Sequence, residues 1–138
     1  MVAAVLVLAT VAASVLRRRD GQLQGTRRQS LTVAELGQPF GTRATLLQFS
    51  SSVCAPCQAA RRLLADVAAR DAGVAHVEID VADRLDLVRR LDVRRTPTVF
   101  VLGPQGQITR RATGLPRRDD VLVAVAQATT GAAAGRGE

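Results

Sequence analysis

The sequence predicts an α/β fold, a mixed β-sheet with helices on both faces, preceded by an apolar amino-terminal helix. Three observations predict it. Strand-length apolar runs at 44–49, 74–80, 96–102 and 107–112 alternate with segments whose apolar residues recur at helical spacing. The first two runs are joined through a helix, which makes them parallel; the last two are joined by Gly103-Pro104-Gln105-Gly106, a tight turn that makes them antiparallel. Past the first twenty residues, the chain is long enough for one domain and not for two.

Taken in order, residues 1–16 carry no charge and are followed at once by Arg17-Arg18-Arg19. As a helix this run covers about 24 Å, short of the roughly 30 Å hydrocarbon core unless flanking arginines snorkel. A cleaved signal peptide would carry its positive charge before the apolar run. The segment is therefore expected to be a transmembrane anchor at the inner or plasma membrane. The positive-inside bias then leaves the domain in the cytoplasm. Residues 17–30, basic and then polar with glycine, are expected to be a linker. The domain is expected over 31–129. The small-residue tail 130–138 is expected to be disordered.

Within the domain, Leu31 to Leu36 is a short element of undecided type, and 44–49 is a strand. Ala60, Leu63, Leu64, Val67 and Ala68 define one face of a helix over 55–70, ended by Asp71-Ala72-Gly73. Residues 74–80 form a second strand. Asp83 is expected to cap a short helix presenting Leu85, Val88 and Leu91. The strand at 96–102 opens with a proline, 107–112 returns antiparallel to it, and Asp119 begins the last helix.

The core must be aliphatic: there are three Phe and no Tyr or Trp. The net charge is +7, and all nineteen basic residues are Arg. No aromatic side chains interleave with the arginine pairs, which argues against a nucleic-acid platform. Glu78, Asp80, Asp83 and Asp86 lack the central glycine and distant glutamate of a calcium loop, so capping and solvation explain them better.

The only cysteines are Cys54 and Cys57, in Cys54-Ala55-Pro56-Cys57, where strand gives way to helix. Unpaired backbone N–H groups and the helix dipole there favour an anion. A thiolate at that position is a nucleophile near neutral pH, and a second thiol one turn on can close a disulfide. Two other uses of the pair stay open. A zinc site normally needs a further Cys/His pair, whereas His76 is the one histidine; inert buried thiols need nothing more.

Leu46-Leu47-Gln48-Phe49, Cys54-Ala55-Pro56-Cys57, Val77-Glu78-Ile79-Asp80, Arg95-Thr96-Pro97-Thr98, Gly103-Pro104-Gln105-Gly106 and Gly114 follow one another in that order. Together they resemble the thioredoxin superfamily over roughly residues 31–128. The resemblance implies a thioredoxin-like fold and thiol–disulfide exchange, with Cys54 attacking and Cys57 resolving. It implies a cis-proline at Pro97 and a substrate surface made by Val53, Pro56, Thr96, Pro97 and Gly114. No cofactor beyond the dithiol is implied.

This chain also departs from the family. Ser50-Ser51-Ser52-Val53 stands where most thioredoxins have an aromatic pair before the first cysteine. Ala55 replaces the usual Gly. The family typically has a buried Asp before the strand Phe, facing a Lys on the next strand; here the matching residues are Gln48 and His76. Glutamine is no base, whereas histidine titrates in the useful range, so His76 is the candidate assistant to Cys57, hydrogen-bonded to Gln48.

The expectation is a membrane-anchored disulfide reductase of protein substrates, recharged by an upstream dithiol reductase and monomeric in its domain. Two alternatives differ in kind. One is an extracytoplasmic reductase of the TlpA/ResA type, serving cytochrome c maturation. The other is a non-enzymatic module that binds Cu(I) through the thiolates or serves as a docking platform.

Overall fold

The computed structural model describes residues 2–25 and 29–134. Ten elements follow in order: α1 (Val2–Arg19), β1 (Gln24–Gly25), α2 (Val33–Leu36), β2 (Ala44–Ser50), α3 (Ala55–Ala69), β3 (Val74–Asp80), α4 (Leu85–Arg90), β4 (Thr98–Leu102), β5 (Ile108–Thr113) and α5 (Arg118–Ala134). The sheet order is β1-β5-β4-β2-β3. β2 and β3 are parallel and β4 and β5 antiparallel, as the connections predict, and β4 also runs antiparallel to β2.

β2 lies second from one edge and is covered on both faces, so all seven of its residues are buried. Its alternation divides the core. Ala44 and Leu46 pack with Leu64 and Val67 of α3 and with Val121, Ala124 and Val125 of α5. Leu47 and Phe49 face the other way, into a cluster with Leu36, Leu87, Leu91 and Phe100. Phe49 and Phe100 meet edge to face, with ring centroids 5.8 Å apart. By the same period of two, Gln48 and Ser50 point toward α3, and so do His76 and Glu78 on β3. That alternation brings the polar residues beneath the cysteines.

Several expectations need correction. The undecided element at 31–36 is a one-turn helix: the Thr32 side chain accepts from Glu35 N–H while Glu35 accepts from Thr32 N–H. Arg84, not Asp83, stands at the start of α4, with no side-chain cap. Of the three residues expected on its buried face, Leu85 is exposed, and Leu87 takes its place beside Leu91. Only six residues of α4 are helical, so the face is set by where the turn docks and not by a long stripe.

The linker is part of the sheet. Gln24 and Gly25 pair with Arg111 and Arg110, Ile108 N–H donates to Gln29 C=O, and Ser30 bridges Gln107. Residues 26–28 lie outside the described residues. At the other end α5 continues to Ala134, past the expected start of the tail at 130; residues 135–138 lie outside the described residues.

The expected transmembrane span also needs correction. α1 forms, but no helix among the described residues is long and apolar enough to cross a membrane. The uncharged run stops at Leu16 and the helix continues into the arginines. Its apolar side chains are exposed, Leu8 at 70% and Leu6 at 61%. Its two hydroxyl residues are satisfied within the helix: Thr10 donates to Leu6 C=O and Ser14 to Thr10 C=O.

Candidate active site

β2 ends at Ser50 and α3 begins at Ala55, with Pro56 in its first turn, where a missing N–H costs nothing. Cys54 is the N-cap. Its Sγ accepts the N–H of Cys57 at 3.2 Å, the bond that a serine or aspartate oxygen makes at most helix starts. Cys54 and Cys57 are joined as a disulfide. Cys54 is half-buried, while Cys57 is only 1% exposed. One sulfur is therefore reachable by a large partner and the other is sheltered beneath the helix. The Cys54 sulfur thus lies at the positive end of α3 and within reach of a backbone donor, a place that favours an anion.

Beneath the cysteines Gln48 is fully buried, and its amide is fully used. Its NH2 group donates to Cys57 C=O and to Ser50 Oγ, both at 2.9 Å. Its Oε1 is then the acceptor left for His76 Nε2, 3.2 Å away, which fixes the proton on that ring nitrogen. The expected Gln48–His76 bond is present, and the chain of bonds runs from His76 through Gln48 to the backbone of Cys57. Burial, foremost, lowers the pKa of His76; Arg61 adds to this and Glu78 opposes it.

Next to this layer Arg61 of α3 grips Glu78 of β3 with two bonds, at 2.5 and 2.6 Å. That guanidinium, foremost, and the Ser50 hydroxyl hold the Glu78 carboxyl below its ordinary range, against the opposing effect of burial. These two side chains line a polar cleft of about 430 Å³ with Cys54, Ser50, Ser52, Asp80 and Asp83.

The loop before β4 closes the other side. The Thr96–Pro97 bond is cis, as expected, and Pro97 is buried. Thr96 Oγ1 and Ser51 Oγ are 3.1 Å apart, so a hydroxyl pair ties this loop to the cysteine loop. Gly114 N–H donates to Pro97 C=O, and its φ of +94° is one that glycine adopts without strain. An apolar groove of about 330 Å³ opens beside Thr96, walled by Val81, Leu85, Val88 and Val93. Val53 and Pro56 are exposed next to the cysteines, Val53 at 94%. Val53 and Pro56 thus flank Cys54 along the chain, Thr96 is tied to the cysteine loop through Ser51, Gly114 is bonded to Pro97, and His76 connects to Cys57 through Gln48. Sequence reasoning missed Ser51 and Ser50 as partners; a run of three serines carries no local sign of which hydroxyl will meet which loop.

The family model of thioredoxin matches residues 33–128. The chain belongs to the thioredoxin family. Thioredoxin H5 of Oryza sativa subsp. japonica is 31% identical over 72 residues, covering 52% of this chain and 53% of the rice protein. The chain thus spans about half the length of that curated relative. Among solved structures, a point mutant of thioredoxin from Halobacterium salinarum superposes with a TM-score of 0.57 at 24% identity, covering 64% of this chain and 76% of that one. Thioredoxin f from spinach chloroplast gives 0.56 at 24%, covering 64% and 72%. At such identities these structures speak for the fold. Thioredoxin-fold proteins use a redox-active disulfide and no cofactor, and the Cys54–Cys57 disulfide lies within the matched segment.

Proposed function

We propose that this chain is a disulfide reductase of protein substrates. The observation that carries the reading is the asymmetry of the pair: Cys54 capping α3 within reach of solvent, Cys57 enclosed behind it. In the reduced protein the Cys54 thiolate attacks one sulfur of a substrate disulfide, forming a mixed disulfide and releasing the first substrate thiolate. The Cys57 thiolate then attacks Cys54 Sγ, which breaks the mixed disulfide and releases the second. Two electrons pass to the substrate, whose two thiolates take up protons, and the chain is left with the Cys54–Cys57 disulfide. An upstream dithiol reductase returns the electrons by the reverse exchange.

Val53, Pro56, Thr96, Pro97 and Gly114 form the surface on which the substrate segment lies. His76 acts through Gln48 as a positioning residue, holding the amide that fixes the backbone of the resolving cysteine. The test is turnover of a protein disulfide by the full chain. Cys54→Ser is expected to abolish it, and Cys57→Ser to accumulate a covalent complex with substrate that dithiothreitol dissolves. Full turnover without Cys54 would defeat the reading.

We further infer that the protein is attached to a membrane through α1, with Arg17 and Arg18 among the headgroups of the cytoplasmic leaflet and the domain in the cytoplasm. Supporting this are the exposed valines and leucines of α1 and the basic residues at one end of it, which anionic headgroups attract. Co-sedimentation of the full chain with anionic vesicles, lost when Leu6 and Leu8 become Asp, is the expected outcome. Equal recovery in the supernatant with and without vesicles would contradict it.

A further inference from the structure

The segment leaving α1 runs directly across the substrate surface. Gly21 N–H donates to Thr113 C=O at 2.6 Å. Gly21 has φ +76°, and a Cβ there would lie 2.0 Å from Leu115 C=O, so only glycine lets the chain pass so close. From that anchorage Asp20 sits beside Gly114 and reaches the guanidinium of Arg95. Arg95 is the residue before Thr96–Pro97 and stands on the rim of the apolar groove. The chain therefore lays one of its own carboxylates on the loop where a substrate strand is expected, and Arg95 takes it.

The contact is exchangeable. Arg95 and Asp20 side chains keep 54% and 52% of their exposure, and such solvated pairs contribute little to stability. A carboxylate arriving on another chain can replace Asp20 at small cost. Arg94 on the same rim has Asp92 as its partner, more solvated still, so the positive end of the groove is held by loosely kept intramolecular acids.

Resting on the reductase reading above, we propose that Arg95 is a specificity residue. It selects protein disulfides whose reacting cysteine is flanked by an acidic side chain and an apolar one, and Asp20 is the intramolecular competitor that the acidic side chain displaces. The apolar neighbour enters the groove between Val81, Leu85, Val88 and Val93. Asp20 belongs to the segment that ends α1, so whatever holds α1 also sets how readily Arg95 is released.

The experiment compares two disulfide-linked peptides, identical except for Asp or Asn beside the cysteine, as substrates of the reduced full chain. The wild type is expected to favour the Asp peptide by about threefold to fivefold in kcat/KM, the scale of one exposed ion pair. Asp20→Asn should widen that ratio, Arg95→Gln should bring it close to one, and Arg95→Lys should restore most of it. A merely structural role for Arg95 would change both peptides alike. The ratio should also shrink between low salt and 1 M salt. A wild-type ratio of one with both peptides reduced, or a ratio unmoved by Arg95→Gln, overturns the selectivity and leaves the reductase reading standing. If neither peptide is reduced, the reductase reading falls and the selectivity falls with it.

Discussion

The two sides of Cys54 are built differently. On one side the polar cleft is closed upon itself: Arg61 is bound twice by Glu78, Ser50 accepts from Gln48, and Gln48 spends its remaining bonds on Cys57 and His76. On the other side the groove beside Thr96 is walled by valines and a leucine, and its charged rim is held only by solvated pairs. The first arrangement is held at its base by Gln48, which is fully buried with both donors and its acceptor engaged, so breaking one of its bonds leaves a buried group unsatisfied. The second leaves apolar surface open to a ligand. The dithiol is thus held from one side and approached from the other.

Replacing Gln48 should break the comparison most severely. Gln48→Leu fills the space but removes the donor to Cys57 C=O and the acceptor for His76. About 1–3 kcal/mol of stability should be lost, measurable by urea unfolding. The second exchange step should slow, so that the mixed disulfide with substrate accumulates. Unchanged stability would show that the buried network is not what holds Cys57.

The open side should respond oppositely. Leu85 is 53% exposed. Leu85→Ala should leave stability within about 0.5 kcal/mol while raising KM a few-fold at constant kcat for substrates with an apolar residue near the cysteine. A loss of stability on the scale of Gln48→Leu would mean that the groove is core and not surface.

A smaller effect concerns pH. Burial holds the folded His76 pKa below its ordinary 6.5. Between those values the unfolded chain binds a proton that the folded chain does not, so stability is whole above about pH 6.5 and declines as pH falls. Glu35, Asp66, Glu78 and Asp86 also have lowered values, but their losses begin only near pH 4.5 and below. Unfolding measured at pH 7.5, 6 and 5 should show a decline that His76→Gln flattens. The smallest expected change is local: Arg61→Ala should move the Glu78 carboxyl titration upward, read by NMR, with turnover little altered.

How much of this was legible in the chain differs by element. The β2–α3–β3 unit and the β4–β5 hairpin were readable because strand-length apolar runs, a helical stripe and a Gly-Pro-containing turn are local signals, and the Cys-x-x-Cys pair marks the junction itself. The Gln48–His76 contact was readable because both positions are set by parallel strands. The pairing of Gln24–Gly25 with Arg110–Arg111 was not, since two polar residues carry no periodicity and their partner lies far along the chain. Leu85 and Leu87 exchanged places because α4 is too short for a stripe to decide its rotation. Asp20 meeting Arg95 across 75 residues depends on how the segment after α1 returns to the sheet, which no local pattern encodes.

The central claim is that Cys54 and Cys57 form a reducing redox couple, and its most direct test is the reduction potential of the full chain equilibrated against dithiothreitol buffers. The account predicts one reversible two-electron couple per chain at about −270 mV or below. A couple near the roughly −120 mV of a strong oxidant, or no reversible couple at all, would contradict it.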